Sequence, residues 1–213
     1  PLQPPKGHQA SPHGRPLASA GRLDEASAAS ATLLHHTFPT PELALEYWKL
    51  QSRLPKGSAP ALAALLKLDQ EYPGNIPIRQ TLVNLLFVAD RDEEALSMLH
   101  ALATEPAARN AAAQREFDYL SAQPPNLLTA GRWEKFMSLY SGTPVYKQAG
   151  QSQAALQTLL GNPAWQAGQR GLALLEQGKN TQAEAELKLG LEAYPNDAAL
   201  LGGLGMAYMR TKQ

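Results

Sequence analysis

Two aromatic rings with polar neighbours at helical spacing are the side chains of this 213-residue chain best placed to do chemistry. Phe87 follows Gln80 and Asn84, and Trp165 shares a stretch with Glu176. A flat ring beside amides or carboxylates can stack on a sugar or hold a peptide. Gln80 and Asn84 lie one helical turn apart and suit an extended peptide backbone. Glu46 and Arg53 extend the same kind of polar face towards the N-terminus. Packing of both rings between neighbouring elements competes with this reading and is favoured over it; exposed polar residues on a helix need no ligand to account for them. Trp48 and Trp133 are expected to be packing residues.

Catalytic chemistry finds no support. The chain has no P-loop, G-x-S-x-G or H-E-x-x-H, and no G-x-G-x-x-G between a strand and a helix. The G-x-G of GLGMAY lies in a helical stretch. His8 and His13 sit in a proline-rich segment without a third ligand and read as solvated histidines. His35 and His36 fall near the end of an expected helix, where positive charge complements the dipole. The same argument, at the opposite end of a helix, accounts for Asp90, Asp92, Glu93 and Glu94. The chain is therefore expected not to be an enzyme, with no catalytic residue, metal or cofactor.

The elements that position these residues follow from composition. Hydrophobic residues make up 44% of the chain, and they are Ala- and Leu-rich rather than aromatic or β-branched, which favours helices. Nineteen basic and nineteen acidic residues cancel, so neither nucleic acid nor an anionic membrane is an expected partner. With no cysteine, disulfides and Cys-based zinc sites are excluded. No apolar run approaches the roughly 18–20 residues needed to span a bilayer, so no direct membrane insertion is expected. No basic segment followed by an apolar one opens the chain. It begins PLQPP and stops after AYMRTKQ, as a piece of a longer protein would.

The spacing of small and apolar residues gives the architecture. In GLALLEQGKNTQAEAELKLGLEAYP, from Gly171 to Pro195, they fall at Gly171, Leu174, Ala183, Leu187, Gly190 and Pro195. Two helices cross closely only where side chains are small, so Gly171, Ala183 and Gly190 mark contacts, with Leu174 and Leu187 filling the space between. Gly178 suits a left-handed cap, and Pro195 stops the second helix. Adding 34 to Gly171 and Leu174 gives Gly205 and Tyr208. Adding 34 to Ala61, Leu65 and Leu68 gives Ala95, Leu99 and Leu102. A period of 34 is that of the tetratricopeptide repeat, an antiparallel helix pair that stacks on its neighbours. The expected fold is all-α: a tetratricopeptide-repeat α-solenoid, a right-handed superhelix of antiparallel helix pairs.

Between Ala95 and Ala183 the separation is 88, which is not a multiple of 34, so an out-of-period helical insert lies near the middle. The expected division is an irregular segment at 1–17, with five prolines, then a partial repeat and two helix-pair repeats at 18–106. Atypical helices forming a bend or hinge follow at 107–162. A last repeat and the first helix of the next occupy 163–213. Thr40-Pro41 starts a helix, PKGSAP is a turn, and PPN at 124–126 breaks a helix. Such arrays present the first helix of each pair on a concave, ligand-docking surface. On that register Glu46, Arg53, Gln80, Asn84, Phe87, Trp165 and Glu176 are the candidate binding residues.

The runs LALEYWKLQSRLP, ALLKLDQEYPGN and LLFVADRDEEALSMLHALA resemble a region of the bacterial cellulose synthase operon protein C family. So does NPAWQAGQRGLALLEQGKNTQAEAELKLGLEAYPNDAALLGGLGMAY. The similarity covers most of residues 18–210, including the out-of-period middle. Members of that family carry a periplasmic tetratricopeptide array followed by an outer-membrane β-barrel that exports cellulose. The resemblance implies an N-terminal part of that periplasmic array, a non-catalytic scaffold between the inner-membrane synthase and the outer-membrane pore. The implied partners are cellulose synthase subunits and the glucan chain itself; the implied location is the periplasm, within an outer-membrane-anchored protein. A generic peptide-binding adaptor without a glycan role is the alternative. No catalytic residue carries over.

Overall fold

The computed structural model describes residues 40–211. The expectations for residues 1–39, including the four histidines there and the partial repeat, lie outside the described residues.

Three first helices start at a side-chain cap. In α1 (Pro41–Ser52) the Leu43 amide donates to Thr40 Oγ1, and in α3 (Ile76–Val88) the Ile78 amide donates to Asn75 Oδ1 at 3.1 Å. Asn162 Oδ1 accepts from the amides of Ala164 and Trp165 at the start of α8 (Pro163–Glu176). Proline in the first turn of all three removes an N–H that would have no partner there. The second helices, α2 (Ser58–Glu71), α4 (Asp92–Leu102) and α9 (Asn180–Ala193), have no side-chain cap. Each instead follows a tight turn with one left-handed residue: Lys56, Asp90 or Gly178. Ser58–Pro60, expected in the turn, belong to α2; proline fits there because the first-turn amides have no helical acceptor.

The chain forms two compact units, one ending at Glu116 and the other beginning at Phe117. In the first, α1 to α4 enclose a core that includes Leu45, Ala61, Leu65, Ile78, Leu82 and Ala95, with Trp48 and Phe87 packed against it. The boundary falls inside α5 (Arg109–Ser121), within the stretch where the 34-residue period fails. The second unit continues through α6 (Leu127–Leu139), α7 (Tyr146–Leu160), α8, α9 and α10 (Ala198–Thr211). Its out-of-period part is held by aromatic packing. Trp133, 3% exposed, meets Phe117 and Phe136 edge-on at 5.6 Å, and Phe136 lies 4.7 Å from Tyr140. Trp133 is thus the packing residue its sequence context predicts.

Small residues do what the repeat requires in α8 and α9. A Cβ on Gly190 would sit 2.8 Å from Gly168 Cα, and one on Gly171 only 2.9 Å from the Leu187 amide nitrogen. Gly205 differs from the expectation: a Cβ there meets nothing within 4 Å.

Candidate functional site

The candidate residues fall into three groups. Glu46 and Arg53 are exposed on and just after α1, where Glu46 accepts from Lys49 Nζ at 3.2 Å. Trp165 stands in the first turn of α8, half-buried, while Glu176 is that helix's exposed last residue. Eleven positions apart, they are separated by about 16 Å along the axis at 1.5 Å per residue and form no common site.

The third group does converge. Gln80, Asn84 and Phe87 follow one another along α3, and α5 brings Arg115 against Asn84 and Phe87. Arg115 Nε donates to Asn84 Oδ1 at 2.7 Å, and the guanidinium carbon lies 4.6 Å from the centroid of the Phe87 ring. One face of that ring is covered by a cation, while the ring packs on the first unit's core. Sequence reasoning missed Arg115. Its partners lie 31 and 28 positions earlier on another helix, and no local motif marks it; the only available signal was that α3 and α5 are successive first helices.

Behind this group, Glu116 is 1% exposed and its Oε1 lies 3.1 Å from His100 Nε2. Elsewhere the charged groups pair off. Arg91 grips Glu94 through two 2.6 Å hydrogen bonds, which hold the Glu94 carboxyl below its usual range and raise the Arg91 guanidinium. Hydrogen bonding to Glu184, and then to Tyr208, raises Lys188. Arg79 pairs with Asp69 at 2.9 Å and Arg170 with Glu186 at 2.9 Å. An apolar groove of about 440 Å³ lies between α2 and α3, lined by Leu62, Leu66, Leu85 and Val88 among others. Among the described residues no group of three His, Asp or Glu side chains could hold a metal, and no helix is long and apolar enough to cross a membrane.

Capped first helices, tight left-handed turns and glycine-lined crossings place the molecule in the all-α tetratricopeptide-repeat class of solenoids. Within that class it is similar to cellulose synthase operon protein C. The protein of that name from Escherichia coli strain K12 is 30% identical over 207 residues, covering 97% of this chain and 18% of the relative. That from Komagataeibacter xylinus is 26% identical over 213 residues, covering 93% of this chain and 15% of the relative. The chain thus spans less than a fifth of the length of these relatives. Among solved structures, a flexible tandem repeat domain from bacterial cellulose synthase is 30% identical with a TM-score of 0.64, over 70% of this chain and 61% of that one. No protein-family model matches the chain. The resemblance read from the repeat sequences holds, and the chain is a tetratricopeptide-repeat protein related to the protein C of cellulose synthase operons.

Proposed function

We propose that this chain is a non-catalytic periplasmic scaffold of the bacterial cellulose synthesis and export machinery. It mediates protein contacts between the inner-membrane synthase and the outer-membrane pore and contacts the glucan chain on its way. The observation carrying this reading is that similarity to cellulose synthase operon protein C extends over 97% of the chain, through the out-of-period middle as well as the regular repeats. Generic repeat positions alone would match only where the period holds. The division into repeats at 18–106 and 163–213, with a joint at 107–162, belongs to the same proposal.

The competing reading, a peptide-binding adaptor with no glycan role, is favoured by one observation: a guanidinium covers a face of Phe87 that a sugar ring would otherwise use. Titration with cello-oligosaccharides and with peptides from synthase subunits separates the two. Binding of synthase components is expected, with oligosaccharide contact weakened by Trp165→Ala at unchanged helicity. Binding of unrelated peptides, with neither synthase component nor oligosaccharide bound, would sink the export role.

A further inference from the structure

We infer that the outward face of α7 is a contact surface for a neutral, extended glucan chain, held through the side-chain amides of Gln148 and Gln151. The inference rests on the glucan part of the scaffold reading and supplies the surface for it. With Arg115 over one face of Phe87, the glucan needs a contact other than that ring. Residues 148–169 contain no Asp, Glu, Lys, Arg or His, the longest such run in the chain. A chain that is 18% charged would place several charges in 22 residues; this run holds six glutamines instead. The contrast with α9 is direct, since Glu184 and Lys188 pair there one turn apart, the ordinary way a helix meets water. Of its 15 residues α7 buries Ala149 alone, so most of its surface is open.

Gln148, Gln151, Ala155 and Thr158 follow steps of 3, 4 and 3 and are all exposed. They make one stripe about 15 Å long at 1.5 Å per residue. Among the described residues nothing engages the amides of Gln148 and Gln151. Each amide both donates and accepts, as a sugar hydroxyl does. Thr158 Oγ1 donates to Ala154 O at 2.9 Å and keeps its lone pairs for an incoming hydroxyl. The Ala155 methyl between them gives the C–H face of a sugar ring a small apolar floor. A neutral glucan brings no charge, so it loses none of its solvation to a face that has no counter-charge. An ionic peptide or a phosphate would give up water there for no ion pair. These positions carry no aromatic ring, so each contact is weak. A polymer drawn lengthwise needs contacts that release as readily as they form.

The test titrates the whole chain, nitrogen-15 labelled, with cellohexaose and follows the glutamine side-chain amide resonances. Cellohexaose is expected to shift the Gln148 and Gln151 amides, with an affinity that salt leaves unchanged. Replacing both by Ala should weaken binding by about threefold or more, since each lost hydrogen bond is worth that order. Gln148→Glu with Gln151→Glu, which places charge on the stripe, should weaken it at least as much, and serves if the alanine pair fails to fold by circular dichroism. Unchanged affinity in a folded double variant would overturn the inference. So would binding that strengthens as salt falls, or the same amides shifting with protein concentration in the absence of sugar, the mark of a second copy. Cellohexaose that binds at Trp165 and leaves α7 unmoved would remove this site and keep the glucan role. No cellohexaose binding, with synthase subunits still bound, would overturn both and leave the protein scaffold standing.

Discussion

Single methyl groups decide the fit at Gly171, while one repeat later, at Gly205, they do not. A Cβ at 171 would press on the Leu187 backbone, which cannot swing aside as a side-chain end can. Gly171→Ala is expected to destabilise the protein by about 1–3 kcal/mol in urea unfolding. Gly205→Ala, with no neighbour within 4 Å, should instead be neutral or stabilising by up to about 1 kcal/mol through helix propensity. Equal losses at both sites would contradict the packing described. In the sequence the two glycines look alike because both sit on the 34-residue register; only the presence of a facing helix tells them apart. The candidate site shows the same limit. Asn84 and Phe87 were visible from helical spacing, whereas Arg115 was not, since tertiary pairing between α3 and α5 leaves no periodic trace. Trp165 and Glu176 met the sequence criterion equally well, yet stand at opposite ends of α8.

Turns within helix pairs carry a local conflict that sequence patterns hide. After α8 the left-handed position is Gly178, and the Lys179 amide reaches back to Leu174 O at 2.9 Å. After α3 the same turn places Asp90 at φ 56°, with the Arg91 amide on Leu86 O at 2.9 Å. The two turns are 88 residues apart, the separation of Ala95 and Ala183, so they are equivalent positions of two repeats. A side chain in this conformation costs about 1–2 kcal/mol that glycine avoids. Asp90→Gly should therefore raise stability by about 1 kcal/mol, less the glycine's extra entropy in the unfolded chain, as a higher thermal midpoint. A lower midpoint would show that the Asp90 side chain does more at the α4 start than complement its dipole. The helix start at Thr40 was legible as a cap-proline pair, whereas the equivalent Asn162-Pro163 start of α8 was not singled out. Lys56, although inside the expected PKGSAP turn, and Asp90 were not legible as left-handed residues, because neither is the glycine that the geometry favours.

For the whole molecule, the broken period and the unit boundary fall in one stretch. The proposed joint at 107–162 predicts that solution scattering needs an ensemble of conformers rather than one rigid envelope. A single rigid conformer fitting across salt conditions would remove the joint. The period showed where regularity ends but not what replaces it. The replacement is the Phe117, Trp133, Phe136 and Tyr140 cluster, in which Trp133, Phe136 and Tyr140 follow helical steps of 3 and 4 while Phe117 comes from another helix. At the other extreme of regularity stand Gly168 and Gly190, whose backbones nearly touch. Main chain sets that crossing, and the Leu200 side chain of α10 seats against both glycines. For protein engineering this makes residues 163–211, rather than the α8–α9 pair alone, the transplantable cassette: its internal spacing should survive grafting into another array only if α10 goes with it.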